Sequence, residues 1–335
     1  MVHQIRTVDI SLIIPAFRFC KANGIATERV LHLSKIPEAM FEVGGRISRH
    51  QVYRFYSEIA RQDESGEFAA HMDELVDYNG DFIAMGLYSC INLKHAITRM
   101  QQQLPLVIDS SHIEICTSRD EPVCLRYKSA HGWDNEERVV QQTIIGFLIA
   151  LVRIVTSDEW LPKAICIPKK TDSTQSLFKL AQKHEIKAVH YKTDIVGIYI
   201  DAPSLFRKLI RPPHKDDKSM PEAHHNLSLG FIDAIKGLVA SHLEAGHLLT
   251  YHDIADICGL SERTFQRDLK EKGYNYRMLV NEIRHHLACQ QLTQTNATVE
   301  CIAIDLGYSC HNPFVRAFKA IEGVTPSDYR TQIQR

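Results

Sequence analysis

The sequence predicts two domains: a mixed α/β domain at the N-terminus and an all-α domain with two helix-turn-helix units at the C-terminus. Apolar residues in the first 210 positions change between helical and strand spacing, whereas after residue 226 their spacing is helical throughout. A polar stretch with three prolines separates the two parts. The C-terminal part also repeats one pattern of helix, glycine turn and second helix at an interval of 48 residues.

Length and composition limit the class of protein. A chain of 335 residues is long for one domain and comfortable for two. Its 44% hydrophobic and 24% charged residues are ordinary globular values, which excludes a disordered or fibrous chain. The longest apolar run, 144–152, is about half of a bilayer span, and the N-terminus carries no secretory signal. We therefore expect a cytoplasmic protein that does not enter a membrane.

The cysteines and histidines do not form a recognisable ligand pattern. Nine cysteines, an odd number at scattered positions, indicate reduced thiols rather than a disulfide framework. Of the paired histidines, His224 and His225 fall in a polar stretch. His285 and His286 are neighbours on a predicted helix, where adjacent side chains point in different directions. We expect neither a metal site nor a cofactor.

The predicted boundaries are 1–210 for the N-terminal domain, 211–225 for a linker and 226–335 for the C-terminal domain. The linker is polar and has no apolar periodicity. In the N-terminal domain, helical spacing predicts helices over 11–22, 27–34, 48–62, 93–103, 136–156 and 174–184. Strands are predicted over 111–117, 122–129 and 164–167, with a strand pair at 186–191 and 195–200.

The first C-terminal repeat has the three features that a helix-turn-helix requires. Ala255 is the small residue where the helices touch, Gly259 forms the turn, and Phe265 anchors the second helix. Ser261 is a favourable N-cap for that second helix. Leu269 lies one turn after Phe265, so both side chains are expected to face inward.

The second repeat follows the same pattern with one extra residue in its turn. Ala303 and Gly307 take the helix-contact and turn positions, and two phenylalanines face inward, Phe314 and Phe318. Pro313 is tolerated only in the first turn of a helix, so we place the start of this helix near Cys310.

Two further helices complete the predicted C-terminal domain. Residues 276–291 form a helix between the repeats, with an apolar face made of Leu279, Ile283 and Leu287. The sequence Thr325-Pro-Ser-Asp328 combines an N-cap, a proline at the first helical position and an acid at the third, which predicts a short last helix.

Each second helix carries an exposed polar stripe. Its members fall at i, i+3, i+4 and i+7 in both repeats, so each set shares one face. Arginine and glutamine can pair with base edges in the major groove of DNA. The stripe residues are Arg263, Gln266, Arg267 and Lys270 in the first repeat and Asn312, Val315, Arg316 and Lys319 in the second.

Two bland or rival interpretations of the stripes are open. Either stripe alone is compatible with an ordinary solvated face, but the shared register of turn, buried aromatic residues and stripe favours DNA binding. From Glu222 to Arg335 there are 11 Lys and Arg against 13 Asp and Glu, a formal charge of −2, so we expect modest non-specific affinity. A constitutive architectural DNA-binding protein is the alternative function, although it requires a strongly basic surface.

The C-terminal motifs resemble those of AraC/XylS-family transcription regulators. Leu306–Lys319 and Gly323–Arg330 resemble the family signature, and Gly259–Lys270 resembles its first recognition helix. Arg284 and Ala288 stand where the family's linking helix carries arginine and alanine. The resemblance implies that both units enter successive major grooves of double-stranded DNA. It places seven residues toward the groove: Arg263, Gln266, Arg267, His311, Asn312, Val315 and Arg316.

The first 210 residues resemble, more distantly, the arabinose-binding-type domain of the ornithine-utilisation branch of that family. The residues that carry this likeness are Gly86, Arg153, Trp160, Pro162 and the strand pair before Pro203. Lys169 and the pair His184-Glu185 depart from the branch pattern. The resemblance implies a domain for effector binding or dimerisation, without indicating which residues bind an effector.

The expected function is therefore sequence-specific transcription regulation, with an activator favoured over a repressor. The expected partners are double-stranded DNA, RNA polymerase, a small-molecule effector of unknown identity and a second copy of the chain. An enzyme is the rival class, but the sequence contains no nucleophile elbow, zinc-protease motif or phosphate-binding glycine loop. We expect no catalytic residues.

Overall fold

The computed structural model describes residues 2–63, 66, 68–75, 87, 90–109, 111–117, 122–129, 138–157, 159–168, 175–191, 195–209 and 230–333. The predicted linker at 211–225, Gly86 and Lys169 lie outside the described residues. Among the helices of the described ranges, none is both long and apolar enough to cross a membrane.

The chain forms two compact units whose boundaries differ from the predicted ones. The first unit contains the described residues of Met1–Ile10, Lys35–Gln51 and Leu229–Arg335, and the second those of Ser11–Ser34 and Val52–Ser228. The sequence placed all of 1–210 in one domain. Two N-terminal segments instead pack with the C-terminal helices: Ile5 of the first segment is buried in their core, and the N–H of Arg46 in the second segment donates to Ser241 Oγ at 2.8 Å.

The second unit contains a five-stranded sheet with helices. Its helices are α1 (Ile14–Ala22), α2 (Thr27–Ser34), most of α4 (Arg49–Gln62), α5 (Met72–Leu75), α6 (Leu93–Val107), α7 (Arg138–Arg153) and α8 (Gln175–Lys183). Its strands are β3 (Ser111–Cys116), β4 (Val123–Ser129), β5 (Ala164–Ile167), β6 (Ala188–Tyr191) and β7 (Val196–Ile200). The strand order is β3-β4-β7-β5-β6.

One predicted strand pairing is wrong. Strands β6 and β7 follow one another in sequence, but β6 pairs in parallel with β5, and β7 pairs antiparallel with both β4 and β5. The segment β5-α8-β6 is a crossover connection that leaves β6 at the edge of the sheet, and β7 takes the central position. All five residues of β7 are buried, as a central strand requires.

Helix α7 lies in the core of the second unit, as its apolar sequence predicts. Residues from Leu148 to Val152 are fully buried. A Cβ atom at Gly146 would lie 2.8 Å from the Cβ of Met72, so only glycine permits this close approach to α5.

A buried ion cluster joins α5, α7 and α8. Asp73 is fully buried, and its carboxylate accepts from Arg153 Nη1 at 2.5 Å and from Lys183 Nζ at 3.2 Å. The Nε2 atom of His184, which is also buried, lies 3.5 Å from the same carboxylate. Burial alone would raise the pKa of Asp73, but His184, Lys183 and Arg153 together lower it to about 2.

The first unit combines a two-stranded sheet with a helical bundle. Strand β1 (Thr7–Asp9) pairs antiparallel with β2 (Arg46–Ser48), and the short helix α3 (Met40–Val43) precedes β2. The C-terminal helices are α9 (Phe231–Glu244), α10 (Tyr251–Ile257), α11 (Glu262–Glu271), α12 (Tyr276–Gln294), α13 (Val299–Asp305), α14 (His311–Glu322) and α15 (Pro326–Ile333). As the apolar spacing predicts, no strand occurs between residues 230 and 333.

We predict that Asp73→Asn destabilises the second unit by about 2–4 kcal/mol at pH 7, because it leaves the cations of Arg153 and Lys183 without their buried counter-charge. The carboxyl pKa is lower in the folded chain than in the unfolded chain, so its contribution is present above pH 4 and is lost as the pH falls from about 4 to about 2. Denaturant melts of both proteins over this pH range measure the difference.

Glu74→Gln is the matched control, since Glu74 also bonds Lys183 but its side chain is 57% exposed. Its effect on unfolding should stay below about 1 kcal/mol. Equal stability of Asp73→Asn and the parent chain at pH 7 would show that the cluster is dispensable.

Candidate nucleic-acid interface

Both helix-turn-helix units end their first helix with the same glycine turn. In the first helix-turn-helix, the N–H of Gly259 donates to Asp256 O at 2.9 Å and the N–H of Leu260 donates to Ala255 O at 3.0 Å. This is a Schellman motif, and it requires the positive φ of +68° that Gly259 adopts. The turn fixes where the second helix starts.

The second helix-turn-helix repeats both hydrogen bonds of this turn. Gly307 N–H donates to Ile304 O at 2.8 Å, and Tyr308 N–H donates to Ala303 O at 2.9 Å. Gly307 has a φ of +73°. The two alanines at the helix contacts, Ala255 and Ala303, are buried as predicted.

Helix α11 of the first helix-turn-helix is capped and anchored as the sequence predicts. Ser261 is its N-cap, and the Ser261 hydroxyl accepts from the N–H of Thr264. Phe265 and Leu269 are buried. The Phe265 ring lies 5.4 Å from that of Tyr251 and 6.2 Å from that of Phe231, so α11 is held by an aromatic cluster.

Helix α14 of the second helix-turn-helix starts at His311 with Cys310 as its N-cap, which confirms the predicted start. Phe314 and Phe318 are both buried. Their rings are 5.8 Å apart, and Phe318 also packs against Tyr329 of α15 at 5.3 Å. Helix α15 begins with the predicted Thr325 cap, whose hydroxyl accepts from the N–H of Asp328.

The linking helix α12 connects the two helix-turn-helix motifs. It extends three residues beyond the predicted end, to Gln294, and Leu279, Ile283 and Leu287 are buried as expected. From its middle, Arg284 Nη2 donates to Gly307 O at 2.9 Å, and the guanidinium lies 4.5 Å from the centre of the Tyr308 ring. Arg284 therefore attaches the second glycine turn directly to the linking helix.

Both predicted stripes lie on the surface of the C-terminal unit. On α11, the four predicted residues are exposed: Arg263, Gln266, Arg267 and Lys270. On α14, His311, Asn312, Arg316 and Lys319 are exposed, and Val315 is half-buried. Each recognition helix thus carries a buried aromatic face and an opposite polar face. That these residues contact DNA remains a prediction.

One stripe residue is held by a carboxylate that the sequence did not single out. Asp268 is fully buried on α11, and its Oδ1 atom accepts from Arg267 Nε at 3.1 Å and Nη2 at 3.0 Å. Its Oδ2 atom accepts from the backbone N–H of His3 at 3.0 Å. Burial favours a raised pKa, but these hydrogen bonds outweigh it and lower the pKa of Asp268. Asp268 thereby orients the exposed guanidinium of Arg267.

The N-terminal segments of the first unit contact the first helix-turn-helix at more than one place. Lys35 Nζ lies 2.9 Å from Asp253 Oδ1 and 3.1 Å from Asp256 Oδ2, both on α10. The hydroxyl of Ser48 donates to the carbonyl of Ile257 at the end of the same helix. No local pattern in the sequence signals these contacts, because their partners are more than 200 residues apart.

The geometry defines a class of protein, one with two helix-turn-helix units that each expose a recognition helix. Two family descriptions match the chain, "Helix-turn-helix domain" over residues 254–332 and "Arabinose-binding domain of AraC transcription regulator, N-term" over residues 24–180. Both parts of the chain therefore resemble AraC-type transcription regulators, as its motifs predicted.

Relatives of the chain are themselves regulators. An HTH-type transcriptional regulator of Mycobacterium bovis is 36% identical over 97 residues, 28% of this chain and 28% of that protein. The ornithine utilization regulator of Pseudomonas aeruginosa is 39% identical over 70 residues, 21% of each chain. The virulence regulon transcriptional activator of Shigella flexneri is 26% identical over 102 residues, 30% of this chain and 38% of that protein. These matches cover less than two fifths of the relatives' length, and these relatives are named as regulators rather than enzymes.

We predict that Arg267→Ala weakens binding to the specific DNA site by about 1–3 kcal/mol and relaxes the preference at one base position. The reason is that the guanidinium is exposed in the middle of the α11 stripe and held in place by Asp268. Competition binding with specific and random DNA measures both effects.

Arg277→Ala is the matched control, since it removes the same charge from an exposed position of α12 outside the stripe. It should lower specific and random binding equally and slightly. If Arg267→Ala also lowers both equally, Arg267 is a phosphate contact and does not read bases.

Proposed function

We propose that this chain is a sequence-specific DNA-binding transcription regulator in which α11 and α14 enter successive major grooves. The observation that carries the proposal is the repeated arrangement of the C-terminal helices, in which the same glycine turn, a buried aromatic anchor and a stripe at the same helical spacing occur twice. In the described part of the chain, the side chains of Arg263, Gln266 and Lys270 form no hydrogen bond or ion pair. They are therefore available to bases and phosphates.

The spacing of the two recognition helices supports base reading by both helix-turn-helix motifs. Recognition helices that enter one face of DNA must be about one helical turn apart, about 34 Å or 10 base pairs. Helix α12 has 19 residues and therefore rises about 28 Å, and the bodies of the units supply the remainder. We expect the first helix-turn-helix to dominate sequence specificity, because Val315 can contact only a thymine methyl group whereas Arg267 can pair with guanine.

The N-terminal domain is proposed to control DNA binding as an effector-binding or dimerisation domain. The family match over residues 24–180 supports this role. An activator that contacts RNA polymerase and works as a homodimer in the cytoplasm is the favoured form, and the relative named as an activator supports the first of these points, the activator role. The effector is a small molecule whose identity and binding residues stay open.

The contacts of residues 2–10 and 35–51 suggest how such control reaches the DNA-binding unit. These segments belong to the first compact unit, yet the chain on either side of 35–51 belongs to the second. Under this proposal, a change in the second unit acts on Lys35 and Ser48 through the continuous backbone. We propose that these residues transmit it to α10, the helix that precedes the first recognition helix.

A constitutive architectural DNA-binding protein is the second candidate. Its distinguishing property is a similar affinity for all sequences, whereas a regulator prefers its site by about a thousandfold or more. The slightly acidic C-terminal domain favours the regulator.

We predict that inserting five base pairs between the two contacted base clusters lowers the affinity by on the order of a hundredfold, because the clusters then face opposite sides of the duplex and the second contact is lost. Titration of labelled DNA with the full chain measures the loss. An insertion of five base pairs outside the clusters is the control and should change nothing.

The double variant Asn312→Ala/Arg316→Ala sharpens this test. It removes the second stripe, so its affinity should be low and indifferent to the insertion. If the parent chain is also indifferent, only one unit reads DNA and the two-groove proposal fails.

We predict that Lys35→Met lowers the affinity for the specific site three- to tenfold, although Lys35 is remote in sequence from both stripes. Loss of the cation removes the ion pairs to Asp253 and Asp256 and loosens the support of α10. Affinity measured by titration, with melting curves to check folding, tests this.

Lys187→Met provides the control, because Lys187 is an exposed lysine of the second unit and its loss changes the net charge by the same amount. It should bind within twofold of the parent. Identical affinities of the Lys35 and Lys187 variants would count against transmission through residue 35.

A further inference from the structure

Three potential metal ligands meet between the linking helix and the second recognition helix. His285 and Cys289 are four residues apart on α12 and therefore project from the same face. Glu322 is the last residue of α14. One ligand atom from each of the three lies within 4.8 Å of the other two.

The three side chains contact one another at distances close to the spacing of ligands around a tetrahedral ion. The Cys289 Sγ and His285 Nε2 atoms are 3.7 Å apart, and His285 Nε2 and Glu322 Oε1 are 2.8 Å apart. Around a tetrahedral zinc ion, the nitrogen–sulfur distance is about 3.5 Å and the nitrogen–oxygen distance about 3.3 Å. The sulfur already has the correct spacing, and the carboxylate needs to retreat by about half an ångström.

We propose that His285, Cys289 and Glu322 bind a zinc(II)-like metal ion that fastens α12 to the end of α14. Thiolate and imidazole together select zinc and similar ions over magnesium and calcium, which require oxygen ligands. Cys289 is a free thiol. The side chains of His285 and Glu322 are 19% and 31% exposed, so an ion and one water molecule can reach the fourth position.

The sequence expectation of no metal site considered His285 only together with its neighbour His286, and this proposal departs from it. His285 and His286 point in different directions, whereas the partners of His285 are Cys289 one turn later and Glu322 from another helix. His286 is exposed and stands outside the cluster.

The surroundings of His285 set the expected strength and consequence of binding. If Nε2 ligates the ion, Nδ1 carries the proton, and within the described residues this buried atom has no hydrogen-bond partner. Structural zinc sites usually provide one, so we expect an affinity on the order of micromolar. The His285 ring also packs against Phe318 at 5.3 Å, so the ion would hold more firmly the phenylalanine that anchors α14.

The test is direct metal binding by the full chain, with no DNA present. Zinc binding measured against a chromophoric chelator should give one site, and cobalt(II) should give the thiolate charge-transfer band. His285→Gln, Cys289→Ser and Glu322→Gln should each lower the affinity at least tenfold, and Cys289→Ser should also abolish the band. His286→Gln and Cys301→Ser are the matched controls and should leave both signals unchanged.

Melting curves provide the second readout. Zinc should raise the melting temperature of the parent chain and of the two controls, but not that of Cys289→Ser, because an ion that binds only the folded chain stabilises it. Absence of zinc binding by the parent chain overturns the proposal. So does binding that survives all three site variants, or binding that is lost only with Cys301→Ser. None of these outcomes bears on DNA recognition.

Discussion

The C-terminal unit depends on the apolar face of α12. Leu279, Ile283 and Leu287 are buried in one core that also contains Phe265 of the first recognition helix and Phe314 and Phe318 of the second. Neither helix-turn-helix is large enough to bury its own aromatic anchor, so each completes its core against this shared helix. Because one rigid element supports both units, the distance between the two polar stripes is set by α12 and not by a flexible connection.

Local signals in the sequence were sufficient for the recognition helices. Gly259 and Gly307, the N-cap residues Ser261 and Cys310, and the buried phenylalanines occupy the predicted places, because turn chemistry and helical periodicity act over a few residues. Pairings between distant segments could not be predicted in this way. Strands β1 and β2 have three residues each and show no periodicity, and the pairing of β6 with β5 depends on the whole sheet. The packing of residues 2–10 with the C-terminal helices could not be predicted for the same reason, since the burial of Ile5 depends on partners from residue 231 onward.

The candidate site shows the same division. Spacing along a helix predicted which side chains of α11 and α14 are exposed, but not what holds them. In the sequence Asp268 is one acid among basic residues, yet it is fully buried and bonded to His3 and Arg267. Lys35 and the cluster of His285, Cys289 and Glu322 were likewise invisible, because each combines residues from separate elements. Supporting residues of this kind become evident only when the chain is folded.

The placement of acidic residues explains how a unit with a formally negative C-terminal domain can still present cationic stripes. Asp253 and Asp256 share the charge of Lys35, and Asp268 is buried, so these three carboxylates do not oppose the exposed side chains of α11 as free charges. Arg267 is itself paired with Asp268, and a paired guanidinium attracts phosphate less strongly at a distance while keeping a fixed orientation. In the proposed DNA complex, long-range attraction would depend mainly on Arg263 and Lys270, and Arg267 would contribute mostly through the direction of its hydrogen bonds. We therefore expect this recognition helix to bind random DNA weakly and to discriminate through geometry.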